Sequence, residues 1–349
     1  MNNKLLILDG ISGISLGQEI AEAFHNLQIP TEYIASAKLS RKKFFKPATA
    51  IKKVFHKKIL GADYYRNPKI TNSSLIKLIE KTQPETIFVI GFLYRFFDLD
   101  LIAKLKKKHG FKLYLYDTDS CNLFSYQREL IYFFNQELPL YDHIYSFSKT
   151  TTQFINKLDG LNATHFPYGA KPIAVKSMQQ EHDVLFVGSA DMRRIYLLEQ
   201  LTQFKLSVYG SRWQRYQSLI SSPLNTAINP NPVWGSELHE LLFKSKIILN
   251  VTRSSFYGVE TGINLRIFET LAAQGFLLTD HTPELEELFL IGEEIETYSC
   301  SDELTDKVRY YLKNEDKRYK IAQKGHAKFV QTYSWDERIK ELSHDPKFS

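Results

Sequence analysis

Arg266 and Glu269 stand one helical turn apart in the stretch Gly262-Ile263-Asn264-Leu265-Arg266-Ile267-Phe268-Glu269-Thr270-Leu271-Ala272-Ala273-Gln274-Gly275. A carboxylate early in a helix can accept hydrogen bonds from both hydroxyls of a ribose, while a guanidinium and free helix-start amides hold phosphate. The competing reading is an i, i+3 ion pair on a helix surface. Gly262 opens the loop, Asn264 stands at the helix start, and Leu265, Phe268, Leu271 and Ala272 supply the core face. The run Asp183–Gly188 ends in Gly188-Ser189, with Arg193 and Arg194 just inside the next helix. Paired guanidinium N–H groups at a helix start suit a diphosphate, against the plainer reading of solvated surface arginines.

Asp117 and Asp119 follow an apolar run and are candidates for the base that deprotonates an acceptor hydroxyl, or for binding that acceptor. The same D-x-D spacing also suits a metal ion or a capped turn. The histidines are scattered without ligand spacing, so no metal is expected. Near the N-terminus, Asp9-Gly10-Ile11-Ser12-Gly13 ends an apolar run ahead of a helix, placing Gly10 and Gly13 in a tight turn on the acceptor or diphosphate side. Its spacing departs from G-x-G-x-x-G, so it is a weak dinucleotide signal.

Short apolar runs must carry these residues, and they alternate with segments of helical period through nearly the whole chain. That alternation predicts parallel sheets built from βαβ units. Strands are predicted at Lys4–Asp9, Thr31–Ala35, Thr86–Gly91, Lys112–Asp117, His143–Ser148 and Thr164–Gly169, then at Asp183–Gly188, Lys205–Gly210, Ile247–Val251, Gly275–Asp280 and Glu294–Tyr298. The expected domains are an N-terminal Rossmann-like acceptor domain over 1–170, a linker over 171–182, a C-terminal Rossmann-like donor domain over 183–330, and a last helix over 331–349 packing back toward the first domain. Two doubly wound sheets facing each other would bring both sets of strand carboxyl ends to one cleft, where ligands bind in such folds.

A length of 349 residues fits two domains. With 43% hydrophobic and 24% charged residues, long disorder and fibrous repeats are excluded. Cys121 and Cys300 are far apart, so a disulfide framework is not expected and a reducing cytoplasm is. The apolar window Thr86–Phe97 is too short to span a bilayer.

From about 183 to 342 the sequence resembles the C-terminal half of the CgeB-like glycosyltransferases, within the GT-B nucleotide-sugar transferases. The resemblance rests on Leu185-Phe186-Val187-Gly188-Ser189 with Arg193 and Arg194, Tyr209-Gly210-Ser211-Arg212-Trp213, Asn264-Leu265-Arg266-Ile267-Phe268-Glu269, Phe276-Leu277-Leu278-Thr279-Asp280, Arg318, and Tyr333-Ser334-Trp335 with Arg338. In the first half it rests on Tyr116-Asp117-Thr118-Asp119, Tyr141-Asp142-His143 and Pro167-Tyr168-Gly169. The resemblance implies a GT-B fold and transfer of a sugar from a nucleotide-diphosphate donor, expected to be a UDP-sugar, with no further cofactor. It implies Glu269 as the ribose carboxylate and Arg266 as a phosphate contact. Tyr209, Gly210 and Trp213 would belong to the base pocket, and Arg253 and Gly262 would join the donor site. Retaining members carry two glutamates as E-x7-E, and counting back from Glu269 reaches Thr261, with Glu260 adjacent. Either the loop slips by one residue or the first carboxylate is missing.

The implied acceptor is a glycan, a lipid-linked sugar or a protein. A nucleotide-sugar epimerase, a DNA-base glycosyltransferase and a non-catalytic glycan-binding relative are the alternatives. Between Glu32 and Asp63 there is no acidic residue, while Lys38, Arg41, Lys42, Lys43, Lys46, Lys52, Lys53, Lys57 and Lys58 fall there. Read as a basic amphipathic element, residues 38–60 suit peripheral contact with an anionic membrane on its inner face, or steering of an anionic acceptor. The bland reading is a solvated helix packed on the first sheet. No nucleic-acid motif accompanies the segment.

Overall fold

The computed structural model describes residues 4–11, 15–41, 54, 64, 67–119 and 127–348. The chain divides into two compact units, Met1–Pro167 with Ile339–Ser349, and Tyr168–Arg338. Gly13, Cys121 and most of the basic segment 38–60 lie outside the described residues.

The first unit runs β1 (Leu5–Asp9), α1 (Leu16–Asn26), β2 (Thr31–Ala35), α2 (Asn72–Thr82), β3 (Thr86–Ile90), α3 (Leu99–His109), β4 (Lys112–Asp117), α4 (Gln127–Tyr132), a π-helical turn at Phe133–Glu137, β5 (His143–Ser146), α5 (Lys149–Ile155) and β6 (Ala163–His165). The strands form one sheet in the order β2-β1-β3-β4-β5-β6, and every pair is parallel. β1 and β3 are buried along their whole length, which is why they read as unbroken apolar runs. Thr71, Asp98 and Ser148 cap α2, α3 and α5, and Gly110 ends α3 in the left-handed region at φ +72°. The end of the chain returns to this unit. The ring of Phe348 packs on Tyr114 at 5.0 Å, Phe88 at 5.6 Å and Phe24 at 6.0 Å, while the Tyr145 hydroxyl donates to Asp345.

The second unit runs β7 (His182–Val187), α6 (Met192–Glu199), β8 (Leu206–Tyr209), a 3-10 turn at Trp213–Leu219, α7 (Ser222–Ala227), β9 (Ile228–Asn229), α8 (Gly235–Phe243), β10 (Ser245–Asn250), α9 (Ser254–Tyr257), α10 (Leu265–Ala272), β11 (Leu277–Asp280), α11 (Pro283–Leu288), β12 (Glu296–Tyr298), α12 (Ser301–Lys313), α13 (Glu315–Lys328) and the start of α14 (Trp335–His344), whose residues from Ile339 on belong to the first unit. Its parallel sheet has the order β12-β11-β10-β7-β8-β9.

Strand β6 stops short of the expected Gly169: Phe166 still donates to the Ser146 carbonyl, but Pro167 has no N–H to continue the ladder. β9, with two residues, was too short to show a pattern. Residues 331–338 stay with the second unit rather than starting a return element at 331. Ala170 N donates to the Tyr333 carbonyl, Trp335 N donates to the Ala170 carbonyl, and the Tyr333 ring packs on Phe268 and Phe289.

Each sheet has one place where strand order reverses, between β1 and β3 in the first and between β7 and β10 in the second. Loops leaving neighbouring strands diverge there, so the carboxyl ends open a crevice suited to a ligand.

Candidate functional site

At the β7/β10 reversal the loops after the two strands carry Gly188-Ser189 and Val251-Thr252-Arg253. Gly188 N donates to the Tyr209 carbonyl, which draws the loop after β8 against it. Gly210 sits at φ +146°, and a Cβ there would lie 2.1 Å from the Gly188 oxygen, so this contact admits no side chain. Trp213 braces the same point, its Nε1 donating to Gly188 O at 3.2 Å and its ring edge-on to Phe186. Trp213 is 1% exposed and belongs to the core of the unit. Tyr209 is half-buried and packs against the cluster of Leu185, Val233 and Leu238.

Three arginines converge on these strand ends, and their partners separate them. Arg193 meets Asp280 at the end of β11 with both guanidinium nitrogens, donates to the Thr252 carbonyl at 3.1 Å and lies 3.9 Å over the Tyr257 ring. Asp280 is 1% exposed and also accepts from Thr252 N. Arg193 thus pairs with a buried carboxylate. Arg194 donates to the carbonyls of Ser189 and Val251 and stitches β7 to β10, and burial lowers its pKa to about 10. Asp191 caps α6 and accepts from Ser254 N, tying the starts of α6 and α9 together. Arg253 reaches Ser189 Oγ at 3.5 Å, lies over Phe256 and has no carboxylate partner among the described residues.

The start of α10 completes the edge. Asn264 caps the helix by accepting from Arg266 N at 3.1 Å. Gly262 packs on Thr282, where a Cβ would come within 2.6 Å of Oγ1. Thr261 donates to the buried Glu284 carboxylate, while Glu260 is exposed in a left-handed turn at φ +56°. Arg266 Nη1 lies 2.9 Å from Glu269 Oε2, but off the line of its N–H bonds, so Nη1 and Nε remain buried without a hydrogen-bond acceptor. The hydroxyls of Thr252 and Thr282 are likewise buried and unbonded. Buried donors left unsatisfied cost free energy in the empty state and are satisfied by an anion placed among them. His239 on α8 was not singled out from the sequence. Burial lowers its pKa, with Glu269 raising it and Arg266 lowering it, so the imidazole is neutral beside that pair at pH 7.

At the equivalent edge of the first unit the described residues bond to one another. Gly10 abuts the loop after β3, where a Cβ would lie 2.7 Å from the Phe92 oxygen. Asp9 accepts from Tyr33 Oη at 2.8 Å and Ile11 N at 2.7 Å, and burial raises its pKa. Asp117 is 1% exposed, accepting from Ser146 Oγ at 2.7 Å and from Asp119 N at 3.3 Å. The D-x-D pair forms a capped turn, with Asp119 half-buried beside Asp117. Glu137, fully buried in the π-helical turn, accepts from Leu93 N, Tyr94 N and Tyr141 Oη. Among the described residues no group of three His, Cys, Asp or Glu is placed to hold a metal, and no helix is long and apolar enough to cross a membrane.

Residues 193–344 match the glycosyl transferase-like family model. That match covers less than half of the chain and falls mostly in the second unit. The whole chain is similar in structure to Anabaena Alr3699/HepE in complex with UDP-glucose, with TM-score 0.65, 11% identity, and 97% of this chain and 99% of that one covered. Sucrose-phosphate synthase from Thermosynechococcus elongatus gives 0.66 at 12% identity over 97% of each chain. A glycosyltransferase from Rickettsia africae gives 0.63 at 12% identity, covering 97% and 96%. No curated protein sequence matches the chain. The fold is GT-B, with two parallel six-stranded sheets.

Proposed function

We propose that the chain is a glycosyltransferase that takes a nucleotide-diphosphate sugar, a UDP-sugar, in its second unit. The observation that carries this is the buried Arg266 guanidinium, with Nε and Nη1 lacking acceptors beside Glu269 at the start of α10. In this reading Arg266 and Arg253 hold the diphosphate, with the hydroxyls of Thr252 and Thr282 and the amides opening α10, and Glu269 accepts from the ribose hydroxyls. Gly188 and Gly210 bring backbone close to the donor. Charge grows on the departing diphosphate as the glycosidic bond breaks, and these fixed donors stabilise it. Asp119 and Gly10 serve the acceptor, a glycan, lipid-linked sugar or protein, and Glu260 faces the donor sugar. The CgeB-like resemblance is the subfamily we favour. No metal or additional cofactor is proposed. The basic segment 38–60 is the proposed contact with an anionic membrane at the cytoplasmic face, tested by vesicle flotation with and without anionic lipid.

Calorimetric titration with UDP tests the donor reading. Arg266→Met and Arg253→Ala each remove charge-assisted hydrogen bonds of about 1.5–3 kcal/mol, so affinity falls about 10- to 100-fold. Arg266→Met also removes the ion-pair partner of Glu269, so its UDP affinity is read beside its thermal stability. UDP affinity unchanged in both variants overturns the proposal. Incubation with UDP-glucose alone separates the epimerase, which would interconvert the sugar without an acceptor.

A further inference from the structure

The second unit holds a cavity of about 230 Å³ at the opposite end of its sheet from the arginines just described. Its walls are the segment 175–180, the starts of β10 and α13, and the turn 273–275 after α10. The first of these belongs to the stretch that precedes β7.

Charge in this cavity is unbalanced. Arg318, 5% exposed, reaches it from α13 and donates to the Tyr311 carbonyl at 2.6 Å and to Gln180 Oε1 at 3.3 Å. Those contacts use two of its five N–H bonds, and among the described residues no carboxylate forms an ion pair with it. Burial pulls its pKa down, while Glu315 and Asp183 pull up from farther away. The carbonyl end of α12 offsets part of the positive charge. Lys176 and Lys246 add two more cations to the lining, against Glu315 as the acid there; Lys246 is held by Asp183 at 2.7 Å. A buried guanidinium without an anion carries a desolvation cost that a ligand of opposite charge removes.

We propose that this cavity binds a small phosphate-bearing anion, with Arg318 as its inner ligand, Lys176 closing over it and Gln180 on the same wall. The volume admits a phosphate with a few further atoms and excludes a nucleotide diphosphate sugar. Because Lys176 and Gln180 lie on the 175–180 segment, the bound anion pins that segment to the unit. This site stands apart from the donor site and does not depend on the donor proposal.

Inorganic phosphate is the probe, read by thermal unfolding and by calorimetry on the full chain. Wild type and Arg253→Ala are expected to gain the same rise in Tm and to bind with the same Kd. Lys176→Glu, at a residue exposed on the segment, is expected to weaken binding about tenfold or more by setting an acid against the anion. Arg318→Lys keeps the charge but loses the forked geometry, and is expected to bind more weakly than wild type. If phosphate binding vanishes in Arg253→Ala and persists in Lys176→Glu, the anion sits at the strand carboxyl ends and the proposal falls. It falls equally if phosphate neither binds nor stabilises the wild type, which leaves Arg318 as a cap on α12 alone.

Discussion

Both sheets reverse strand order once, yet the two reversals are furnished in opposite ways. In the first unit Asp9, Asp117 and Glu137 are acids whose oxygens accept from the chain's own hydroxyls and amides, and Gly10 lies against the Phe92 backbone. In the second, Arg193 and Arg194 are spent on Asp280 and on carbonyls, while Arg253 lacks a carboxylate and Arg266 keeps donors without acceptors. Groups satisfied internally set backbone geometry, and donors left over mark where an outside anion completes the structure. Equal topology thus carries, among the described residues, internally bonded acids at one edge and spare donors at the other.

The sharpest way to break this division is at Asp280, which the comparison makes structural although it stands at the edge with the spare donors. Asp280→Ala strands the Arg193 guanidinium and leaves Thr252 N without its acceptor. Removing one partner of a buried pair costs about 3–5 kcal/mol, to be read as a lower denaturant midpoint for the second unit. If Arg193 were instead a free phosphate ligand, the variant would unfold normally and lose only UDP affinity.

The edge with the bonded acids carries its own test at Glu137. Burial raises its pKa to about 7, with the Tyr141 hydroxyl, the amides of Leu93 and Tyr94 and the charge of Arg95 working the other way. An acid whose folded pKa lies above its unfolded value binds more protons when folded, so its contribution is present below the unfolded value and is lost as pH rises through about 7. The shift amounts to on the order of 3 kcal/mol. Stability of the wild type is therefore expected to decline from about pH 4.5 to 7, and Glu137→Gln to flatten that decline. Unfolding curves across this range check it; an unchanged slope in the variant would show that Glu137 is ionised throughout.

Much of this was legible from the chain alone, for a physical reason. Parallel strands covered on both faces must be continuously apolar, so β1, β3 and β10 announce themselves, whereas β9 has too few residues to form a pattern. Arg266 and Glu269 were readable because helix spacing alone brings them together. Asp280 was not readable as the partner of Arg193, because only the pairing of β7, β10 and β11 brings residues 87 positions apart into contact. His239 sits beside the core stripe of Leu238 and Leu242, where helical period marks packing and says nothing of a carboxylate arriving from another helix. Trp213 was ambiguous in the sequence because an aromatic beside a glycine turn suits a base platform as well as a buried brace.

The smallest effect separates those two uses of Trp213. As a brace, the indole contributes one hydrogen bond to Gly188 O and an edge contact with Phe186. Trp213→Phe keeps an aromatic ring but deletes the donor, so it is expected to cost about 1–2 kcal/mol of stability. Its UDP affinity is expected to stay within about twofold of wild type, because the ring has no exposed face for a base to stack on. A tenfold loss of affinity with no loss of stability would return Trp213 to the donor pocket, and Gly188 would then need another explanation for its close approach to Gly210.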